Sequence, residues 1–121
     1  MNVLLVEDDP LVRSSIVKIL QRGGFTVSAV PNGLAALSEL RDQRFSAIIT
    51  DLKLPFLQGD DFFRQVQELF PDMARRIVFV TGWAHDEKLK EFLDQTGQPC
   101  LPKPFEAGEL VAAVQRVAAK V

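Results

Sequence analysis

Acidic residues and one lysine stand in this chain where apolar runs end. Val3-Leu4-Leu5-Val6 leads into Glu7-Asp8-Asp9, Ala47-Ile48-Ile49-Thr50 into Asp51, and Cys100-Leu101-Pro102 into Lys103-Pro104-Phe105. Short apolar runs bounded by turn residues read as buried strands. In an open parallel α/β sheet, ligands bind in the crevice outside the carboxyl ends of the strands. Glu7, Asp8, Asp51 and Lys103 are therefore expected to converge on one edge of one sheet. Carboxylate oxygens suit a hard divalent cation, and a lysine beside them suits a phosphoryl group. A carboxylate is also a competent nucleophile toward phosphorus. Asp51 is the candidate for that role, although on position alone it also fits a turn residue after a strand. Asp9 reads differently: with Pro10 behind it, it is the expected N-cap of a helix.

The elements that must carry these residues alternate regularly. Val3–Val6 reads as the first strand. Leu11, Val12, Ile16, Ile19 and Leu20 recur at helical spacing until Gly23-Gly24 stops them. Phe25–Val30 alternates as a second strand, and Asn32 can cap a helix carrying Leu34, Ala35, Leu37 and Leu40. Ser46–Thr50 is the third strand. After a loop, Phe62, Phe63, Val66, Leu69 and Phe70 mark a third helix that Pro71 is expected to close. Arg76–Thr81 reads as strand four, and Leu89, Phe92 and Leu93 as helix four. Gln98–Leu101 reads as a short strand five, and Glu106–Ala119 as the last helix. Strand and helix alternate throughout, which argues a parallel sheet with helices on both faces.

With 121 residues the chain is expected to form a single domain over 1–121. Its 47% hydrophobic and 25% charged content fits a globular protein. A net charge of -2 gives no electrostatic case for nucleic acid or an anionic membrane. No apolar stretch approaches the ~20 residues of a membrane span. Met1-Asn2-Val3 runs straight into the first strand, so no signal peptide is expected. The single cysteine, Cys100, excludes an internal disulfide and fits a reducing compartment, which makes the cytoplasm the expected location.

The motifs, taken in order, carry a resemblance. Val6-Glu7-Asp8-Asp9, Thr50-Asp51-Leu52-Lys53-Leu54-Pro55, Gly59, Thr81-Gly82 and Lys103-Pro104-Phe105 resemble those of a response-regulator receiver domain, the phospho-accepting module of two-component signalling. The resemblance runs from end to end. It implies a flavodoxin-like, doubly wound, five-stranded parallel sheet of order 2-1-3-4-5 with five helices. It implies Asp51 as phospho-acceptor and Mg²⁺ as cofactor. The metal would be held by Asp8, Asp51 and the backbone carbonyl of Lys53, with Glu7 acting through water. It implies that Lys103 reaches a phosphoryl oxygen, that Thr81 is the switch hydroxyl, and that the Lys103–Pro104 bond is cis. The implied partner is a sensor histidine kinase or histidine phosphotransfer protein carrying phosphohistidine. The domain itself would bind no nucleic acid or membrane, would be a monomer or weak dimer, and would catalyse only its own phosphorylation and dephosphorylation.

The chain also departs from the pattern. Cys100 occupies the place, three before the lysine, where a Tyr or Phe is common in this family. Thr81 thereby lacks the aromatic partner of the family's coupled switch, and Cys100 reads as a small buried hydrophobe. Phe56 stands where many members have Gly. Lys53 and Trp83 lie two residues after Asp51 and Thr81, positions that flank the phosphate in the family. Trp83 fits two readings: a cover that slows hydrolysis of the acyl phosphate, or an aromatic packed on the loop or offered to a partner. His85 reads as a solvated residue near the start of helix four. The segment from Phe92 to Lys103 resembles receivers attached to hybrid sensor histidine kinases. Two rivals stand beside the main reading. One is an unphosphorylated pseudo-receiver that binds proteins, against which the retained acidic and basic residues argue. The other is a small Mg²⁺-dependent phosphatase using an aspartyl-phosphate intermediate, which would need an acid/base carboxylate where Lys53 stands. A flavodoxin is disfavoured because no Ser/Thr/Gly phosphate loop follows the first strand.

Overall fold

The computed structural model describes residues 1–53, 57–82 and 86–120. The readings placed on Leu54, Pro55, Phe56, Trp83 and His85 fall outside them. In chain order the elements are β1 (Asn2–Val6), α1 (Pro10–Arg22), β2 (Thr26–Val30), α2 (Gly33–Asp42), β3 (Ala47–Asp51), α3 (Gly59–Leu69), α4 (Pro71–Ala74), β4 (Ile77–Thr81), α5 (Glu87–Thr96), β5 (Cys100–Pro102) and α6 (Ala107–Ala118). The strands form one sheet of order β2-β1-β3-β4-β5. Every neighbouring pair is parallel.

Side chains of a strand alternate between faces, and here both faces are covered. Leu4, Val6, Ile48, Ile77 and Phe79 point to the layer built by α2, α3 and α4, meeting Leu37, Leu40, Phe62, Val66 and Met73. Val3, Leu5, Ile49, Val78 and Val80 point the other way, to Ile16 and Leu20 of α1 and to Leu110, Val114 and Val117 of α6. This explains why the central strands read as unbroken apolar runs rather than alternating ones. The two layers are separate clusters with the sheet between them.

Among the described residues there are six helices, one more than the sequence suggests. Pro71 does end α3, but it also occupies the first position of α4, where a missing N–H costs nothing. Phe70 serves as the last cap of α3 and the first of α4, and Met73 and Ala74 are buried. β5 also starts later than Gln98. Gln98 uses its side-chain amide, not its place in a ladder, to reach the Ile77 carbonyl at 3.0 Å. The Lys103–Pro104 peptide is cis, as the resemblance implied. No helix among the described residues is long and apolar enough to cross a membrane.

Candidate functional site

Three strands deliver the chemistry to one rim of the sheet. β1 ends at Val6, so Glu7 is the first residue past it. Its N–H still donates to the Val30 carbonyl of β2 at 3.0 Å. Asp51 is the last residue of β3, not the first after it. Lys103 follows β5, and its N–H donates to the Thr81 carbonyl at the end of β4 at 2.7 Å.

At this rim the Lys103 Nζ donates to Asp51 Oδ2 at 2.6 Å and to Glu7 Oε2 at 3.4 Å. The two carboxylates are buried, with Glu7 2% and Asp51 7% exposed. The other oxygen of each is held by backbone. Asp51 Oδ1 accepts from the Lys53 N–H at 2.9 Å, and Glu7 Oε1 from the Asp9 N–H at 3.2 Å. Burial raises the Glu7 carboxyl above its ordinary value, with the Asp51 charge adding to the rise and the Asp9 amide and Lys103 opposing it. Burial would lower the Lys103 ammonium, but Asp51 and Glu7 together outweigh it, and the net direction is upward. Lys103 is thereby kept as a cation.

The remaining expected residues fall around this core. Asp8, the residue after Glu7, is exposed. Asp9 is turned away to cap α1, its Oδ1 accepting from Leu11 N at 2.9 Å and Val12 N at 3.3 Å. Thr81 is buried and in register with Pro102, next to the lysine. Cys100 is half-buried, and burial, reinforced by the Asp51 charge, pushes its thiol up to about 11. It is a packing residue of the α2–α3 layer.

One participant is absent from the sequence reading. The Arg13 guanidinium donates from Nη1 to the Glu7 carbonyl at 3.0 Å. A basic residue near the start of a helix, where acids are favoured, is the signal that could have found it.

Whether these residues suit Mg²⁺ can be judged from charge and donors. Among the described residues no three His, Cys, Asp or Glu side chains are gathered into a ready-made cage. Mg²⁺ does not ask for one, since it keeps several waters and takes one or two carboxylates. Two buried carboxylates here share one ammonium, which leaves an excess of negative charge in a desolvated place. A hard cation on oxygen donors would offset it, so the residues fit the ion.

Beside Lys103 runs an apolar groove of about 390 Å³ between α1 and the segment after β5. Leu11, Val12, Ile16, Ile19, Pro104 and Phe105 line it. Leu11 is 83% exposed, a large apolar side chain left on the surface at the rim of the site.

Comparison with known proteins agrees with this fold. A family model of the response regulator receiver domain matches residues 3–115. The chain is similar to the response regulator receiver protein CpdR of Brucella abortus, 31% identical over 116 residues, spanning 96% of this chain and 95% of that protein. It is also similar to the sensor kinase CckA of the same organism, 30% identical over 121 residues, covering 98% of this chain but 13% of the kinase. Among solved structures, the receiver domain of a sensor histidine kinase from Pseudomonas aeruginosa PAO1, with a magnesium ion coordinated in its active site cleft, superposes with a TM-score of 0.86. That domain is 32% identical, and the match covers 98% of each chain. Other curated relatives are transcriptional regulators of which this chain spans about half.

Proposed function

Since this chain belongs to the response regulator receiver family, the phospho-accepting modules of two-component signalling, we propose that Asp51 is the residue that takes the phosphoryl group. The observation that carries this assignment is the 2.6 Å contact between Lys103 Nζ and Asp51 Oδ2 at the buried end of β3. A carboxylate held on a rigid strand, with its charge partner already in place, is a preorganised nucleophile.

The donor in this reading is a phosphohistidine on a sensor histidine kinase or phosphotransfer protein. An Asp51 carboxylate oxygen attacks phosphorus as the phosphorus–nitrogen bond breaks. The imidazole leaves with the bonding electrons and takes up a proton. Lys103 trades its carboxylate contact for a phosphoryl oxygen and so stays paired through the transfer. Mg²⁺, when bound, offsets the charge on the transferring oxygens. Asp8, Asp51 and the Lys53 carbonyl would hold it, with Glu7 acting through water. In this reading Thr81, buried beside the lysine, offers its hydroxyl to the new phosphate. The groove beside Lys103, with Leu11 at its edge, gives the donor protein an apolar seat next to the acceptor.

In the same reading residues 1–121 are one receiver domain, active in the cytoplasm as a monomer or weak dimer. It has no catalytic activity beyond its own phosphorylation and dephosphorylation. Lys53 stands two residues after Asp51, where a phosphatase would need a carboxylate to activate water.

The test is intact mass after incubation with Mg²⁺ and acetyl phosphate. The wild type should gain one phosphoryl group that depends on Mg²⁺, and Asp51→Asn should gain none. Equal gain in the mutant would reject the assignment.

A further inference from the structure

We propose that Arg13 is a positioning residue for the acidic turn: by holding the Glu7 carbonyl it sets the direction in which Asp8 offers its carboxylate to Mg²⁺. The proposal rests on the reading of the cleft given above.

Placement is the first argument. Arg13 is the fourth residue of α1, whose first turn contains no acidic side chain. The positive end of the helix dipole disfavours a cation there. Among the described residues Arg13 makes no ion pair that would offset this. Its guanidinium is instead spent on a backbone oxygen, six residues back, in a part-buried place.

The second argument is what that oxygen would lack. The β1–β3 ladder stops at Val6 and Thr50, so the Glu7 carbonyl has left the sheet. Glu7 is buried, and a carbonyl withdrawn from water needs a donor. Arg13 supplies it.

The third argument is the peptide plane. The Glu7 carbonyl and the Asp8 N–H belong to one planar unit. Fixing the oxygen fixes the plane, and with it the Asp8 Cα from which the carboxylate departs. Asp8 is exposed, so packing does little to orient it. The turn is thus held at three points of Glu7: its N–H by Val30, its carbonyl by Arg13, and its Oε1 by the Asp9 N–H. A rigid guanidinium fork holds such a direction better than a flexible ammonium.

The experiment compares wild type, Arg13→Ala, Arg13→Lys and, as a control on the same helix, Lys18→Ala. Mg²⁺ affinity is measured by titration calorimetry on the unphosphorylated protein. Amide hydrogen exchange at Asp9, Leu4 and Ile48 is measured without metal. Arg13→Ala should weaken Mg²⁺ binding about 10-fold or more, the scale of losing a group that orients a ligand. It should also speed exchange at Asp9, whose N–H donates to Glu7 Oε1, while leaving Leu4 and Ile48 protected. Arg13→Lys, which keeps a charged donor, should fall between, and Lys18→Ala should match wild type. Mg²⁺ affinity of Arg13→Ala within about twofold of wild type would overturn the proposal. So would a loss accompanied by faster exchange at Leu4 and Ile48, which would mark a general loosening. Wild-type protein that takes up no Mg²⁺ would overturn the reading of the cleft itself, and this proposal with it.

Discussion

Gly59 packs on Leu52 so closely that a Cβ on the glycine would lie 2.7 Å from the Leu52 Cα. Real Cβ atoms do not approach backbone to that distance, and the neighbour here is backbone, which cannot swing aside. The Gly59 N–H also donates to the Leu52 carbonyl at 3.0 Å, drawing the start of α3 onto the residue after Asp51. Gly59→Ala is expected to destabilise the fold by about 1–3 kcal/mol, the usual cost of overpacking. It should also slow phosphorylation of Asp51, because Leu52 is the residue that must move. Urea unfolding and acetyl phosphate kinetics check the two effects. A variant as stable and as fast as wild type would show that the contact relaxes freely.

The buried Glu7 carboxyl gives a pH dependence whose sign can be worked out. Burial raises it above its ordinary value of 4.5. A group raised in the folded state favours folding while protonated. That contribution is complete below the ordinary value and is lost as pH rises through the folded one. Glu7→Gln imitates the protonated form at every pH. Without Mg²⁺, it should match wild type near about pH 4 and become the more stable protein toward about pH 7. Denaturation at stepped pH reads the difference directly, and an advantage that shrinks with pH would contradict the assignment of the rise to Glu7.

Cys100 is expected to be chemically quiet. With its thiol pushed up to about 11, almost none is thiolate near neutrality. Iodoacetamide should modify it on the order of 100-fold more slowly in the folded protein than in urea at about pH 8. Comparable rates would mean the thiol is exposed and its charge unperturbed.

The Phe92 ring holds α5 to the core beside Leu89 and Leu93. That helix has no fully buried residue. Phe92 meets Phe63 at 5.6 Å and Phe79 at 5.7 Å, both edge to face, and Arg64 lies 5.8 Å above it. Phe92→Ala is expected to cost about 1–3 kcal/mol, less than for a wholly buried ring. Exchange should rise across Leu89–Leu93 while Ile48 and Val78 stay protected. Protection of α5 equal to wild type would place its anchor elsewhere.

The strands and the rim were legible because both are written as local contrast. An apolar run such as Ala47–Thr50 ending in Asp51 names a buried strand and the residue at its mouth together. Capping was legible for the same reason at Asp9-Pro10 and at Asn32, whose Oδ1 accepts from Ala35 N at 2.8 Å. What escaped depends on contacts distant in sequence or on residues with two uses. Pro71 stops one helix and starts another. Gln98 looks like a strand residue but is committed through its side chain. Arg13 looks like a solvated helix residue until the Glu7 carbonyl is seen to need it. The motif glycine at 59 was recognisable, but its reason, the backbone of Leu52, lies in the tertiary approach.

β1 and β3 are flanked by strands on both edges and by helices on both faces. Segments enclosed in this way open only when the whole molecule unfolds. Glu7 and Asp51 are mounted on their ends, so the spacing between the two carboxylates is insured by the global stability of the protein. Partial openings that loosen α5 leave that spacing untouched. Motion at the surface is thus uncoupled from the alignment of the two carboxylates.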